Sequence, residues 1–271
     1  MQNPYLLWDN VLASTAGTLT ATTYVAYGSV DNCVDGKPYT QWGGSGATAY
    51  DIVVDLGAAT ANWSAPDCIG FCAHNLSACN ATVSVILSAD GVNWSTAVGS
   101  TYAPSSTGVI FYKFTQSTVA YQYVGVRVAC DAANSPLIGE LMLGTALNFP
   151  KPPQIGTSPK TVSIEAVSNH SQSGILLGNS IRCHPVEMRY TWTYIPTTFL
   201  WDSTGGYQGY GEFWMQHGRY LSPFFMCLSE DIPMSKHFVR LTDKSGFDTP
   251  LNDSTMALSL SMSMISALDL G

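Results

Sequence analysis

Charge is what this chain has least of. Its 271 residues include only 11 Lys or Arg and 19 Asp or Glu, a net charge of −8 with histidine neutral. Residues 1–150 hold three basic residues, Lys37, Lys113 and Arg127, against nine acidic ones. Binding to a polyanion draws its free energy from cations that displace counterions, so this balance excludes nucleic acid as a partner. No apolar run approaches bilayer length, and Met1-Gln2-Asn3-Pro4-Tyr5 does not start a basic segment followed by an apolar core. The expectation is a chain made in the cytoplasm without a signal peptide and without membrane insertion.

Signatures of catalysis are also missing. There is no Gly-x-Ser-x-Gly elbow, no His-Glu-x-x-His, no phosphate loop and no dinucleotide fingerprint. The five histidines, His74, His170, His184, His217 and His237, show no repeated ligand spacing. A glycoside hydrolase would need two carboxylates facing across a cleft, and Asp51, Asp55 and Glu140 read instead as turn and strand-end residues. The chain is expected not to be an enzyme.

Cys68, Cys72 and Cys79 with His74 invite a metal reading, yet Ile69, Phe71 and Ala73 alternate with them as in a strand. On a strand, Cys68 and Cys72 share a face but lie roughly 13 Å apart at about 3.3 Å per residue. Zinc holds its ligands about 2.0–2.3 Å from one centre, so a local site fails. With seven cysteines in all, an odd number, reduced core thiols are expected. Six Asn-x-Ser/Thr sequons, at Asn62, Asn75, Asn80, Asn93, Asn169 and Asn252, are expected to be unused.

What the chain does have is Ser, Thr, Ala and Gly in quantity, with short β-branched runs. Ile52-Val53-Val54, Thr82–Ser88, Val109–Phe114 and Tyr121–Ala129 read as strands. Asp90-Gly91 supplies a hairpin turn, because both residues tolerate positive φ. A strand every ten to fifteen residues predicts an all-β protein. Asn148-Phe149-Pro150-Lys151-Pro152-Pro153 cannot donate a full backbone ladder. It marks a boundary: domain 1–147, connector 148–158, domain 159–271. In the second domain Thr161–Val167, Ile181–Tyr194, Pro223–Leu228 and Phe238–Leu241 read as strands, and Gly209–Gly218 as one short helix. Finally, Met256, Leu258, Leu260, Met262 and Met264 alternate with Ala257, Ser259, Ser261 and Ser263. One face of that strand is core, and the other is a small-residue face either docked on a neighbour or solvated.

Five segments appear in a telling order: Asp35-Gly36 with Thr40-Gln41-Trp42, Asp55-Leu56-Gly57, Ser88-Ala89-Asp90-Gly91-Val92-Asn93-Trp94, Tyr123–Val128, and Ile138-Gly139-Glu140-Leu141. Together they resemble the discoidin or galactose-binding-like family over roughly the first 145 residues. The resemblance implies a jelly-roll β-sandwich with Trp42 and Trp94 at core positions. It implies saccharide contact through loop aromatics, here Tyr24, Tyr27, Tyr39 and Trp63, although the Arg or His that galactose binders pair with such rings is not evident. It also implies a structural calcium held by Asp35, Thr40, Glu140 and the carbonyl of Asn32. The residues leave an alternative open, in which Asp35 bonds its own turn and Glu140 pairs with Arg127 or Lys37.

Ile69–Ser77, with its strand ending in His74-Asn75-Leu76, looks like the versions of this domain in bacteriophage virion proteins. The second half resembles tail-tube-like β-sandwich or barrel domains with one short helix. These resemblances imply a virion structural protein of a phage tail or tail tip. Its partners would be other virion proteins and copies of itself, with host-surface glycan as a further contact. The alternative is a carbohydrate-binding protein or accessory module of a glycan-degrading system.

Overall fold

The structure is a computed structural model. It describes residues 3–13, 17–21, 25–57, 65–117, 121–131, 134–154, 160–162, 165–173, 175–183, 186–201, 206, 208–229, 235–242, 245–247 and 258–267. Among the described residues the chain is all-β apart from one short α-helix and a few 3-10 turns, and it forms two compact units. The first comprises Tyr5–Asn148 and Phe225–His237, the second Met1–Pro4, Phe149–Phe224 and Phe238–Gly271. A segment from the second half of the sequence thus clusters with the first.

The described residues up to Asn148 form β1 (Tyr5–Leu7), β2 (Thr18–Ala21), β3 (Val25–Tyr27), β4 (Trp42–Gly44), β5 (Ala49–Asp55), β6 (Cys68–His74), β7 (Thr82–Ser88), β8 (Ser95–Thr96), β9 (Ile110–Lys113), β10 (Tyr123–Ala129), β11 (Leu137–Gly144) and β12 (Leu147–Asn148). They build two five-stranded antiparallel sheets, ordered β2-β5-β10-β7-β8 and β3-β4-β11-β6-β9. Alternation decides which side of the first sheet is buried. Tyr50, Ile52 and Val54 of β5 point inward while Asp51, Val53 and Asp55 stay half-exposed, and the partner residues Val124, Val126 and Val128 of β10 follow suit. Opposite them Trp42, Ile69, Phe71, Ile138, Leu141 and Leu143 of the second sheet complete one core. Each such apolar side chain contributes about 1.5–3 kcal/mol by leaving water. This is the sandwich expected of the first domain.

The second sheet is buried on both faces. Its outer side is covered by β1, which pairs with β12 on one edge and with Phe225-Met226-Cys227 on the other. Gly70 makes room for this third layer: a Cβ there would lie 2.6 Å from the Phe225 ring. Phe225 in turn packs on Phe111, and Phe111 on Tyr5. Near-continuous apolar runs such as Cys68–Cys72 and Leu137–Leu143 follow from being the middle of three layers.

The second unit contains β13 (Lys160–Val162), β14 (Glu165–His170), β15 (Leu176–Cys183) and β16 (Val186–Ile195), then helix α1 (Tyr210–Gln216). After β17 (Phe224–Cys227) come β18 (Lys236–Leu241), β19 (Gly246–Phe247) and β20 (Leu258–Ser266). Strand β20 pairs with β16, β18 and β19, and β13 pairs with β16. Strands β14 and β15 form a separate two-stranded ribbon. The runs Thr161–Val167 and Ile181–Tyr194, read as single strands, each contain parts of two, because alternation alone does not reveal where a strand turns. The predicted helix is present, shortened to Tyr210–Gln216 and followed by a 3-10 turn.

Within 148–158, expected as a connector, Phe149 is buried and stacks on Trp192 at 4.6 Å, and Lys151 accepts a hydrogen bond from Trp192 Nε1 at 3.1 Å. On β20, Leu260, Met262 and Met264 are buried as predicted. The serine face is less open than the pattern suggests. Ser263 is buried, and its backbone N–H donates to Ser245 Oγ at 2.9 Å. Met256 and Ala257 lie outside the described residues.

Candidate cation cradle and its aromatic flanks

The stretch from Tyr27 to Gly43 folds into a knot of local hydrogen bonds. A 3-10 turn, Val30–Cys33, is capped by Ser29, whose side chain accepts from Asp31 N–H. Asn32 Nδ2 donates to Gln41 O at 3.2 Å, and Gln41 Nε2 donates to Ala73 O at 3.2 Å, pinning the loop to β6. Gly28 has φ of +65°, and a Cβ there would sit 2.1 Å from Gln41 O. Only glycine fits this approach.

Inside the knot, oxygens crowd one another. Thr40 Oγ1 lies 2.9 and 3.0 Å from the two Asp35 carboxylate oxygens, 2.7 Å from Lys37 O and 3.5 Å from Asn32 O. One hydroxyl proton cannot serve four acceptors. Lys37 N–H donates to Asp35 Oδ1 at 2.8 Å, which fixes the carboxylate's position.

Glu140 adds a second carboxylate. It stands opposite Cys72 in the β6–β11 ladder, is 0% exposed, and neither carboxylate oxygen completes a hydrogen bond. Burial first, and the charge of Asp35 second, push its pKa up to about 9, while the nearby N–H groups of Gly36 and Lys37 pull the other way. Burial, reinforced by the Glu140 charge, also raises the Cys33 and Cys72 thiols. A buried carboxylate without a partner costs several kcal/mol. Two carboxylates, a hydroxyl and two carbonyls fit the hard-oxygen shell of a calcium ion, which takes six to eight oxygens with water completing the set.

Asn32, Asp35, Thr40 and Glu140 are therefore brought together. Of the alternative, the Asp35 half forms, since that carboxylate accepts the Lys37 N–H of its own turn, while among the described residues Glu140 makes no ion pair with Arg127 or Lys37. Arg127 is committed to Asp51 through two bonds of 2.7 Å, because the β5–β10 register sets those residues opposite each other. The resemblance names the Asn32 carbonyl but not that of Lys37, which the turn brings to the Thr40 hydroxyl.

Of the four aromatic candidates, Tyr24 and Trp63 lie outside the described residues. Tyr27 is 61% and Tyr39 79% exposed. Tyr27 pairs with Gly43 in the β3–β4 ladder, and Tyr39 directly precedes Thr40. Both rings thus belong to the segment that carries the cradle. Trp42 is fully buried, whereas Trp94 is half-buried and meets Tyr123 edge-on at 6.3 Å. Among the described residues no three His, Cys, Asp or Glu side chains converge as a metal-binding group, so the cradle depends on its neutral oxygens. His74 and His217 are tied to the carbonyls of Gly108 and Pro223.

No protein-family profile and no curated protein matches the chain. Solved structures similar to part of it include CpGH89CBM32-6 produced by Clostridium perfringens, at 17% identity, covering 50% of this chain and 98% of that one, with a TM-score of 0.39. A pectin binding carbohydrate binding module is similar at 18% identity, over 51% of this chain and 91% of that one, with a TM-score of 0.36. The C-terminal domain of a chitobiase from Bacteroides fragilis is similar at 21% identity, over 52% of this chain and the whole of that one, with a TM-score of 0.38.

Proposed function

We propose that the first unit is a non-catalytic saccharide-binding module whose loop 27–43 is set by a calcium ion. Asp35, Glu140, Thr40 and the carbonyls of Asn32 and Lys37 would hold the ion. Calcium would supply the positive charge that two crowded carboxylates need, and with it a fixed platform for Tyr27 and Tyr39. The observation that carries this reading is the coincidence, in one short segment, of an oxygen-lined cradle facing unpaired Glu140 and two exposed tyrosine rings. Exposed rings on a rigid backbone present flat apolar faces with a polar tip, the chemistry that stacks on a sugar ring.

Titration calorimetry and a glycan array on the full chain, in calcium and in EGTA, test the proposal. Galactosides, pectin fragments and chitosan oligomers are the first probes. Saccharide binding that is strong in calcium and weaker in EGTA is expected. A calcium-responsive protein that binds none of the array sinks the saccharide assignment.

A second reading, a structural protein of a phage tail or tail tip, draws on the β14–β15 ribbon. A two-stranded ribbon is marginal in water by itself, and this one exposes Ile175 and Leu177 at 65% and 69%. Pairing with sister copies or other virion proteins would cover that surface. Ring-shaped oligomers in electron micrographs would favour this reading, and a monomer at high concentration would count against it.

A further inference from the structure

Away from the cradle, the first unit gathers a lysine, an asparagine and a carboxylate from three distant segments. Lys113 ends β9 opposite Cys68, Asn148 ends β12 opposite Tyr5, and Asp67 immediately precedes β6. Lys113 Nζ donates a hydrogen bond to Asn148 Oδ1 and lies 4.6 Å from the centroid of the Tyr5 ring. The amide is turned by its other end, since Asn148 Nδ2 donates to Ala146 O at 3.2 Å. The same Ala146 residue donates its N–H to Asp67 Oδ1 at 2.7 Å. Asp67 is held in its main chain as well, donating to Gly144 O at 3.0 Å and accepting from Phe114, the neighbour of Lys113, at 2.8 Å. Burial raises the Asp67 pKa, and the Ala146 N–H and the charge of Lys113 partly offset the rise.

We propose that Lys113 and Asn148 condense into an intramolecular isopeptide bond, with Asp67 carrying the proton between them. An amine hydrogen-bonded to an amide oxygen stands beside the amide carbon, so the encounter entropy is already lost in the fold. The Lys113 ammonium passes one proton to Asp67 and becomes a nucleophilic amine. The Nζ–Cγ bond then forms as the Cγ–Nδ2 bond breaks. Asp67 returns its proton to the departing nitrogen, and the second proton shed by Nζ leaves with it as ammonium. No electrons change hands and no co-reactant is needed. A carboxylate that burial makes a better proton acceptor, set within the field of the Lys113 charge, is suited to taking and giving a proton. Lys113 is half-buried beside the Tyr5 ring, while Asn148 is exposed and leaves the ammonia a route to solvent. The bond would close a covalent loop between residues 113 and 148, and Asn148 is the last residue of this unit's main segment. Such a closure restricts the unfolded chain as other cross-links do.

Intact-mass spectrometry of the denatured full chain decides the matter. The expected mass is the sequence mass less one ammonia, with a branched peptide joining Lys113 to Asn148 after digestion. Lys113→Arg and Asn148→Ala should each return the full sequence mass, and Asp67→Ala should stay linear through prolonged incubation. A wild-type chain at full sequence mass after that incubation overturns the proposal, and so does ammonia loss mapped to Gln2 or to another asparagine. A cross-linked Asp67→Ala chain would overturn the role given to Asp67. The wild-type measurement needs no variant to fold.

Discussion

Glu140 sits sealed from solvent within the field of Asp35, whose carboxylate shares the single Thr40 hydroxyl with the carbonyls of Asn32 and Lys37. Two anions placed so close in a low-dielectric setting repel unless a proton or a cation intervenes. Calcium binding should therefore stabilise the folded chain. At a free concentration a hundredfold above Kd the gain is about 2.7 kcal/mol, or roughly 5–10 °C in Tm for a chain of this size. Glu140→Gln should abolish that response while unfolding in EGTA no earlier than the parent. Differential scanning calorimetry with and without calcium reads both, and an unchanged calcium response in the variant would remove Glu140 from the site.

Tyr39 offers a separation of binding from stability. Its ring is 79% exposed, so truncation removes little packing. Tyr39→Ala should leave Tm and the calcium response intact while weakening saccharide binding about tenfold, equivalent to roughly 1.4 kcal/mol. Titration calorimetry against the best array ligand measures this. Unaltered affinity would place the sugar elsewhere.

How far these sites could be read from the sequence depended on where their partners lie along the chain. Thr82–Ser88 and the Asp90-Gly91 turn were legible because alternation and turn chemistry are local. Asp90 Oδ1 indeed accepts from Val92 and Asn93 N–H at 2.9 and 2.8 Å, and Gly91 has φ of +73°. Asp35, Thr40 and Glu140 could be named only through a family resemblance, since Glu140 reaches the loop from a strand a hundred residues on. Phe224–Cys227 was recognisable as a strand, but a run buried on both faces names no partner, so its pairing with β1 stayed hidden. The Lys113, Asn148 and Asp67 cluster left no trace, because each residue is ordinary in its own neighbourhood.

Arg127 and Asp51 test how much an outer-face ion pair adds. The bidentate geometry is favourable, with bonds of 2.7 Å, but the side chains are 39% and 18% exposed, so solvent screens the attraction. A double-mutant cycle with Arg127→Ala and Asp51→Ala should give a coupling of about 0.5–1 kcal/mol, shrinking as salt is added. A coupling that does not respond to salt would contradict the screened picture.

His74 predicts a pH dependence of defined sign. Leu76 N–H donates to its Nδ1 at 3.3 Å, so Nε2 carries the proton and donates to Gly108 O at 3.0 Å. Protonating Nδ1 would set two donors against each other, and burial already lowers this pKa below 6.5 despite the Gly108 carbonyl. The unfolded chain then binds more protons than the folded one in the interval below 6.5, so stability is full above that pH and declines as pH falls through it. His217 in the second unit is lowered for the same main reason and adds with the same sign. Proton NMR titration of the His74 ring should place its midpoint below 6.5. A midpoint at or above that value would refute the assignment.

Gly139 links the fold to the cradle. It precedes Glu140 on β11, and a Cβ there would stand 2.3 Å from Pro38 O and 2.7 Å from Ala73 Cβ. Neither obstacle is a flexible side-chain end. Pro38 belongs to the loop between Lys37 and Thr40, two contributors to the cradle, and Ala73 accepts the Gln41 hydrogen bond that pins that loop to β6. Gly139→Ala must therefore lift the loop away from the strand that supplies Glu140. Overpacking of this kind costs about 1–3 kcal/mol, and here the displacement falls on the oxygens that would surround calcium. The variant should fold with a lowered Tm in EGTA and lose more in calcium than in EGTA, because the ligand set is spread as well as strained. Gly46→Ala is a suitable control, since its φ of +73° imposes backbone strain while nothing lies within 4 Å of the added carbon. An equal loss in calcium and EGTA for Gly139→Ala would show that β11 and the 34–41 loop do not cooperate in holding the ion.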